Sequence, residues 1–144
     1  MFDMQMFLIY FMFFMIFINN ITRILKKCNR FRLIKDKLTD EPYLERYYLL
    51  FKDRKTFPFN IFLHKFLKSD PDDLHDHPWS YCTFILKGGY WEYTPKGKFW
   101  RAPFTFHYNK AESLHRIELV KNKTCWTLFI PFLRKRQWGF VKDN

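Results

Sequence analysis

Hydrophobic and polar positions divide the chain into three zones. In residues 4–18 nearly every position is apolar, with Gln5 and Tyr10 as polar interruptions, and all five methionines fall within the first fifteen residues. The run is shorter than the ~20 residues a bilayer-spanning helix needs, although flanking residues can lengthen it. It predicts a membrane-anchor segment over residues 1–20, meeting the bilayer through residues 4–18; a buried helix or a rarely used upstream start is the plainer alternative. Asp3 stands where a signal peptide would be basic, and no small-x-small site precedes the basic residues, so cleavage is not expected. Residues 21–40 carry Arg23, Lys26, Lys27, Arg30, Arg32, Lys35 and Lys37 against Asp36. They read as a basic juxtamembrane linker, and the positive-inside tendency places the folded part of a single-pass protein on the cytoplasmic side.

Residues 41–144 read as the folded domain. Pro42 marks its entry, and residues 43–51 suit a first strand or a short helix. Residues 60–67 alternate, with Phe62, His64 and Phe66 on one side and Ile61, Leu63 and Lys65 on the other, which is strand periodicity. An acidic, turn-forming stretch over 69–74 leads to His75-Asp76-His77. Residues 81–86 form another strand, Gly88-Gly89 a turn tolerant of positive φ, and residues 90–93 the returning strand. The chain turns again at 95–98 and runs extended over 99–108. Residues 114–120 and 124–132 read as a hairpin around 121–123. Short strands at close spacing predict an all-β sandwich or barrel, with no helix longer than the N-terminal run.

Composition sharpens this only in places. Aromatic residues make up 22% of the chain, with 19 Phe, and rings suit half-buried sheet. Cys28, Cys82 and Cys125 are odd in number and contain no C-x-x-C pair, so neither a disulfide framework nor a zinc ribbon is expected and a reducing compartment fits. The net charge of +11 raises an anionic membrane or nucleic acid as partner. That charge is concentrated in residues 22–38 and at Arg134, Lys135 and Arg136, whereas Asp70, Asp72, Asp73 and Asp76 surround the paired histidines. Nucleic-acid binding would rest on charge without a reading fold and is disfavoured.

The chemistry gathers at histidine. On an extended segment His75 and His77 fall on one face, and His115 from a distant strand could complete an open site for one divalent transition metal, Fe, Mn, Ni or Zn. Polar loop or strand histidines are the bland alternative. His64 shares the inward parity of Phe62 and Phe66 and reads as a hydrogen-bonded core histidine or a further pocket residue; His107 reads as structural or exposed. Tyr81, Tyr90, Glu92, Arg101 and Arg116 are candidate contacts to an anionic or hydroxylated small-molecule ligand, with Arg101 and Arg116 able to grip a carboxylate or phosphate in two-pronged fashion. No Ser-His-Asp arrangement, phosphate loop or H-E-x-x-H string offers another chemistry.

These residues resemble the first motif of the cupin superfamily: His75 and His77 are followed after four residues by Cys82, in the usual glutamate slot, and after six more by Gly89. Aligning the second motif on His115 leaves Phe104, Lys110, Glu112 and Leu119 in place of its glycines, proline and asparagine. The strings Leu63-His64, His75-Asp76-His77-Pro78-Trp79, Gly88-Gly89-Tyr90, His115-Arg116-Ile117-Glu118-Leu119 and Trp138-Gly139-Phe140 are similar to uncharacterised cupin-like proteins of phages and large viruses. The resemblance implies a double-stranded β-helix or jelly-roll barrel with a metal ion held inside. It further implies a metal-dependent oxidoreductase or isomerase acting on a small molecule or modified side chain, or else a non-catalytic, membrane-tethered ligand-binding or scaffold cupin; homo-oligomers are compatible with it. Cys82 could ligate, line the pocket, or leave a three-histidine site. A 2-oxoglutarate oxygenase is disfavoured, because His77 stands in the carboxylate position and Cys125 where its arginine would lie.

Overall fold

An N-terminal helix and two antiparallel sheets make up the computed structural model, which describes residues 3–71, 73–137 and 139. Asp72, Trp138 and Phe140, named above, lie outside the described residues. Helix α1 (Met4–Lys27) begins at Asp3, whose side chain accepts from the Gln5 backbone N–H, and ends with Lys26 and Lys27 in its last turn. The helix therefore continues well into the stretch expected to be linker. Phe11, Phe14, Met15, Ile18, Ile21, Thr22 and Leu25 are its buried or half-buried positions, a spacing that lines one helix face.

Among the described residues nine strands follow: β1 (Phe31–Lys35), β2 (Pro42–Tyr48), β3 (Phe62–Phe66), β4 (Trp79–Lys87), β5 (Tyr90–Thr94), β6 (Gly97–Arg101), β7 (Phe106–Asn109), β8 (Arg116–Leu119) and β9 (Cys125–Arg134). The large sheet has the order β1-β2-β3-β9-β4-β7 and the small sheet β6-β5-β8. β1 lies inside the expected basic linker yet pairs with β2 as an edge strand, so part of residues 21–40 belongs to the sheet. Phe31 and Ile34 are half buried while Arg32, Leu33 and Lys35 are exposed.

Two sequence expectations fail at the level of pairing. The extended run over 99–108 breaks at Ala102–Thr105, where Phe104 takes φ 62°, and its halves join different sheets. The hairpin expected over 114–132 does not form: β8 pairs with β5 in the small sheet and β9 pairs with β3 and β4 in the large one. Alternation states which face a residue occupies but not which strand it will pair with.

The inward faces meet in a core of Leu44, Phe66, Ile85 and Cys125 from the large sheet with Tyr90, Ile117 and Leu119 from the small one. On the large sheet's outer face Tyr47, Leu63, Leu86 and Trp126 pack against Ile18 and Leu25 of α1. The rest of the helix surface over residues 6–17 is apolar and exposed, including Leu8, Tyr10, Met12, Phe13, Ile16 and Phe17, whereas Asn19, Asn20, Arg23, Lys26 and Lys27 put polar groups on its later turns.

Candidate metal centre

His75 and His77 sit on the extended segment that feeds β4, and His115 immediately precedes β8. The backbone stitches these segments together: His75 and His115 exchange N–H···O bonds of 2.9 and 3.0 Å, and the His77 N–H donates to the Ala111 carbonyl at 3.0 Å. Period-two alternation turns Asp76 the other way, where it accepts from the Gly139 N–H at 2.7 Å and pairs with Arg136 at 2.9 Å. One ligand nitrogen from each of His75, His77 and His115 lies within 4.8 Å of the others, a grouping that could hold a metal ion. His77 Nε2 and His115 Nε2 are 2.8 Å apart. Two nitrogens bound at about 2.1 Å and roughly at right angles to one ion would be about 3 Å apart, so the spacing fits a shared ion.

The surroundings prepare these nitrogens. His115 Nδ1 lies 2.8 Å from Glu92 Oε1, which assigns the proton to Nδ1 and leaves the Nε2 lone pair facing His77. Glu92 Oε2 in turn accepts from Arg101 Nε at 2.6 Å. Tyr81 Oη lies 3.1 Å from His115 Nε2 and accepts from Asn109 Nδ2 at 3.2 Å. Burial drives His77 down to about 2, with the neighbouring imidazoles adding to the effect. Burial also lowers His75 in spite of the pull of Asp70. For Glu92, burial works upward but is outweighed by the His115 hydrogen bond and the charge of Arg101, so it ends below the usual glutamate value. Neutral imidazoles backed by an ionised carboxylate are the protonation states a metal ion requires.

Asp70 completes the surroundings of His75, with Oδ2 3.9 Å from His75 Nε2 and 2.6 Å from the Ile117 N–H that donates to it. Its other oxygen accepts from the Tyr43 hydroxyl. In the sequence Asp70 is one acid among several in a turn-forming stretch, and no spacing to His75 or Tyr43 marks it out. A cavity of about 460 Å³ reaches the cluster at His115, with Glu92, Arg101, Asn109, Ser113 and Lys96 also in its lining.

No protein-family model matches the chain, and no curated protein sequence matches it. Solved structures do. A cupin-2 domain from Rhodospirillum rubrum superimposes with a TM-score of 0.61 at 14% identity, over 78% of this chain and 76% of that one. The fold is that of the cupins. The polyketide cyclase RemF from Streptomyces resistomycificus gives 0.59 at 14% identity over 70% and 72% of the two chains. The Fe(II) form of HppE gives 0.56 at 12% identity over 72% of this chain and 57% of its own.

Within this cupin fold the other candidate residues separate. Tyr81, Glu92 and Arg101 lie beside the histidines. Cys82 does not: Tyr81, Thr83 and Ile85 face the interior, so Cys82 in the cupin glutamate slot lies on the outer face, opposite Tyr108 and Ile130 in register. The parity was readable, since 77 and 82 differ by an odd number. Tyr90 is a core residue against Phe66, its hydroxyl pushed up by burial. Arg116 points away from His115 and stacks on Tyr93 at 3.8 Å. His107 bonds to the Thr105 hydroxyl at 2.7 Å. His64 is buried between Phe62, Phe66 and Phe129, accepts from Arg46 Nε at 3.0 Å, and is held well below the usual histidine value by burial and then by Arg46.

Proposed function

We propose that this chain is a metal-binding protein of cupin fold in which His75, His77 and His115 hold one divalent transition ion, Fe, Mn, Ni or Zn, at the wall of the 460 Å³ cavity. The observation that supports it is the convergence of three imidazole nitrogens from two distant segments, one of them backed by Glu92. Bound, such an ion supplies Lewis-acid or redox chemistry. The residues around it hold His115 in one tautomer, keep His75 and His77 neutral, and offer Tyr81, Asn109 and Arg101 to a ligand. A cavity of this size suits a small molecule or a single modified side chain, and a metal-dependent oxidoreductase or isomerase is the reading we favour.

A second reading, a non-catalytic ligand-binding cupin, draws support from Cys82. The acid of the cupin motif is absent there, and Glu92 is already engaged by His115 and Arg101, so no free carboxylate stands at the site among the described residues. Elemental analysis of the purified full chain tests the metal: close to one transition ion per chain is expected, lost in the His75→Ala, His77→Ala double variant. A metal-free wild type of equal stability would overturn it. Shortened versions must keep β1, which is part of the sheet.

We infer in addition that α1 attaches the protein to a membrane, with residues 4–18 as the contact and the domain on the cytoplasmic side. The exposed apolar face beside Arg23, Lys26, Lys27 and Arg30 supports this. Kinship to cupin-like proteins of phages and large viruses rests on the strings around His75 and His115.

A further inference from the structure

Arg46 projects inward from β2, directly across from His64. Its Nε–H donates to His64 Nε2 at 3.0 Å and its guanidinium lies over the Phe62 ring at 4.7 Å. No carboxylate among the described residues pairs with it. At the histidine cluster, by contrast, the inward Glu92 carries both Arg101 and His115. Arg46 is half-buried, and a partly desolvated guanidinium with no anion beside it is unfavourable.

The surroundings of Arg46 increase the imbalance. Arg46, Lys52, Arg54, Tyr48, Asn60 and Trp79 line a cavity of about 220 Å³, with three cationic side chains and no acidic one. Arg54 is fixed in place by donating to the carbonyls of Pro131 at 2.9 Å and Phe132 at 2.8 Å, contacts that orient its guanidinium without cancelling its charge. Tyr48 lines the same wall, and so does Asn60, whose amide is held by the Phe51 and Ile61 backbone. Forked guanidinium groups with neutral hydrogen-bonding neighbours match the geometry of a carboxylate or phosphate.

We propose that this second cavity, lined by Arg46, Lys52 and Arg54, is a binding site for a small oxyanion, either a free ion or the carboxylate or phosphate group of a small metabolite. It lies apart from the 460 Å³ cavity at the histidine cluster, with which it shares no lining residue. The bound group would supply the anion that Arg46 lacks, and the proposal does not depend on metal binding at the histidines.

The test is calorimetric titration of the full chain with inorganic phosphate and, separately, with succinate, at constant ionic strength set by chloride. Saturable binding of at least one probe is expected, weakened about tenfold or more in Arg46→Gln through loss of the charge-assisted contacts. Lys52 is exposed, and Lys52→Gln is expected to weaken the same probe severalfold without touching the core. Binding of phosphate alone, of succinate alone, or of both identifies the oxyanion class, and each result supports the site. Thermal melts supply a second readout. Arg46→Gln without added oxyanion is expected to melt no lower than wild type, and at equal probe concentration wild type should gain more in melting temperature than Arg46→Gln. No saturable binding of either probe to wild type overturns the site, as does affinity unchanged in both Arg46→Gln and Lys52→Gln. Metal content is expected to be the same in wild type and Arg46→Gln, so failure here is distinguishable from failure of the metal reading.

Discussion

Glu92 serves two partners through one carboxylate, fixing the tautomer of His115 through one oxygen and neutralising Arg101 through the other. Glu92→Gln keeps the shape but weakens both contacts, and metal affinity is expected to fall about 10–100-fold in competition with a chromophoric chelator. Unchanged affinity would remove Glu92 from the site. The buried histidines also set a pH dependence. His64, His75 and His77 are all depressed by burial, so below the ordinary histidine value the unfolded chain takes up protons that the folded chain refuses. Stability should therefore be full above about pH 6.5 and decline as pH falls below it. Glu92, also depressed, adds a further loss on descending through about pH 4.5, the ordinary glutamate range. Urea midpoints at pH 7.5 and pH 5 are expected to show the decline, and equal midpoints would contradict it.

Strand β4 shows how an element divides its residues between two environments. Tyr81, Thr83 and Ile85 face the site and the core, while Cys82, Phe84 and Leu86 face outward; beyond a register shift Lys87 lies against Phe11 of α1. Cys82→Ala is accordingly expected to leave metal content unchanged, whereas a fall would place the thiol in the cluster after all. The turn that ends β4 is constrained from outside. Gly88 has φ +94°, and a Cβ there would sit 2.5 Å from the Thr124 carbonyl oxygen. Gly88→Ala should cost about 1–3 kcal/mol in denaturant unfolding through left-handed strain, with the close approach to β9 adding to it. The Gly-Gly turn and the alternation of Phe62, His64 and Phe66 were legible in the sequence, because turn chemistry and period-two burial are local. The separation of β8 from β9, and of β6 from β7, was not: a hairpin and a crossover between sheets look alike until the whole core is assembled.

At the scale of the molecule, α1 is apolar on two sides. One stripe is spent on the large sheet, where Ile18 and Leu25 cover Tyr47, Leu63, Leu86 and Trp126. The remaining surface, with Phe13 60% and Phe17 60% exposed, has no protein partner among the described residues. The flanking cations favour an anionic lipid surface for it. Full-length protein is expected to float with vesicles containing anionic lipid, and Phe13→Glu with Phe17→Glu should abolish flotation while leaving the thermal melt unchanged, since neither ring supports the sheet. Flotation equal in the double variant would disprove the attachment.

The amino-acid order alone determined that this is a β-rich chain with an apolar leader, and that His75 and His77 share a face, since alternation and hydrophobic runs are properties of neighbouring residues. It singled out His115 by spacing and Glu92 by residue type. Only the tertiary structure decided that His115 meets that pair, that Glu92 and Asp70 support it, and that Arg46 is left without an anion among the described residues. Those facts depend on contacts between residues 18 to 47 positions apart, and such contacts are chosen by the packing of two sheets against each other rather than by any local pattern.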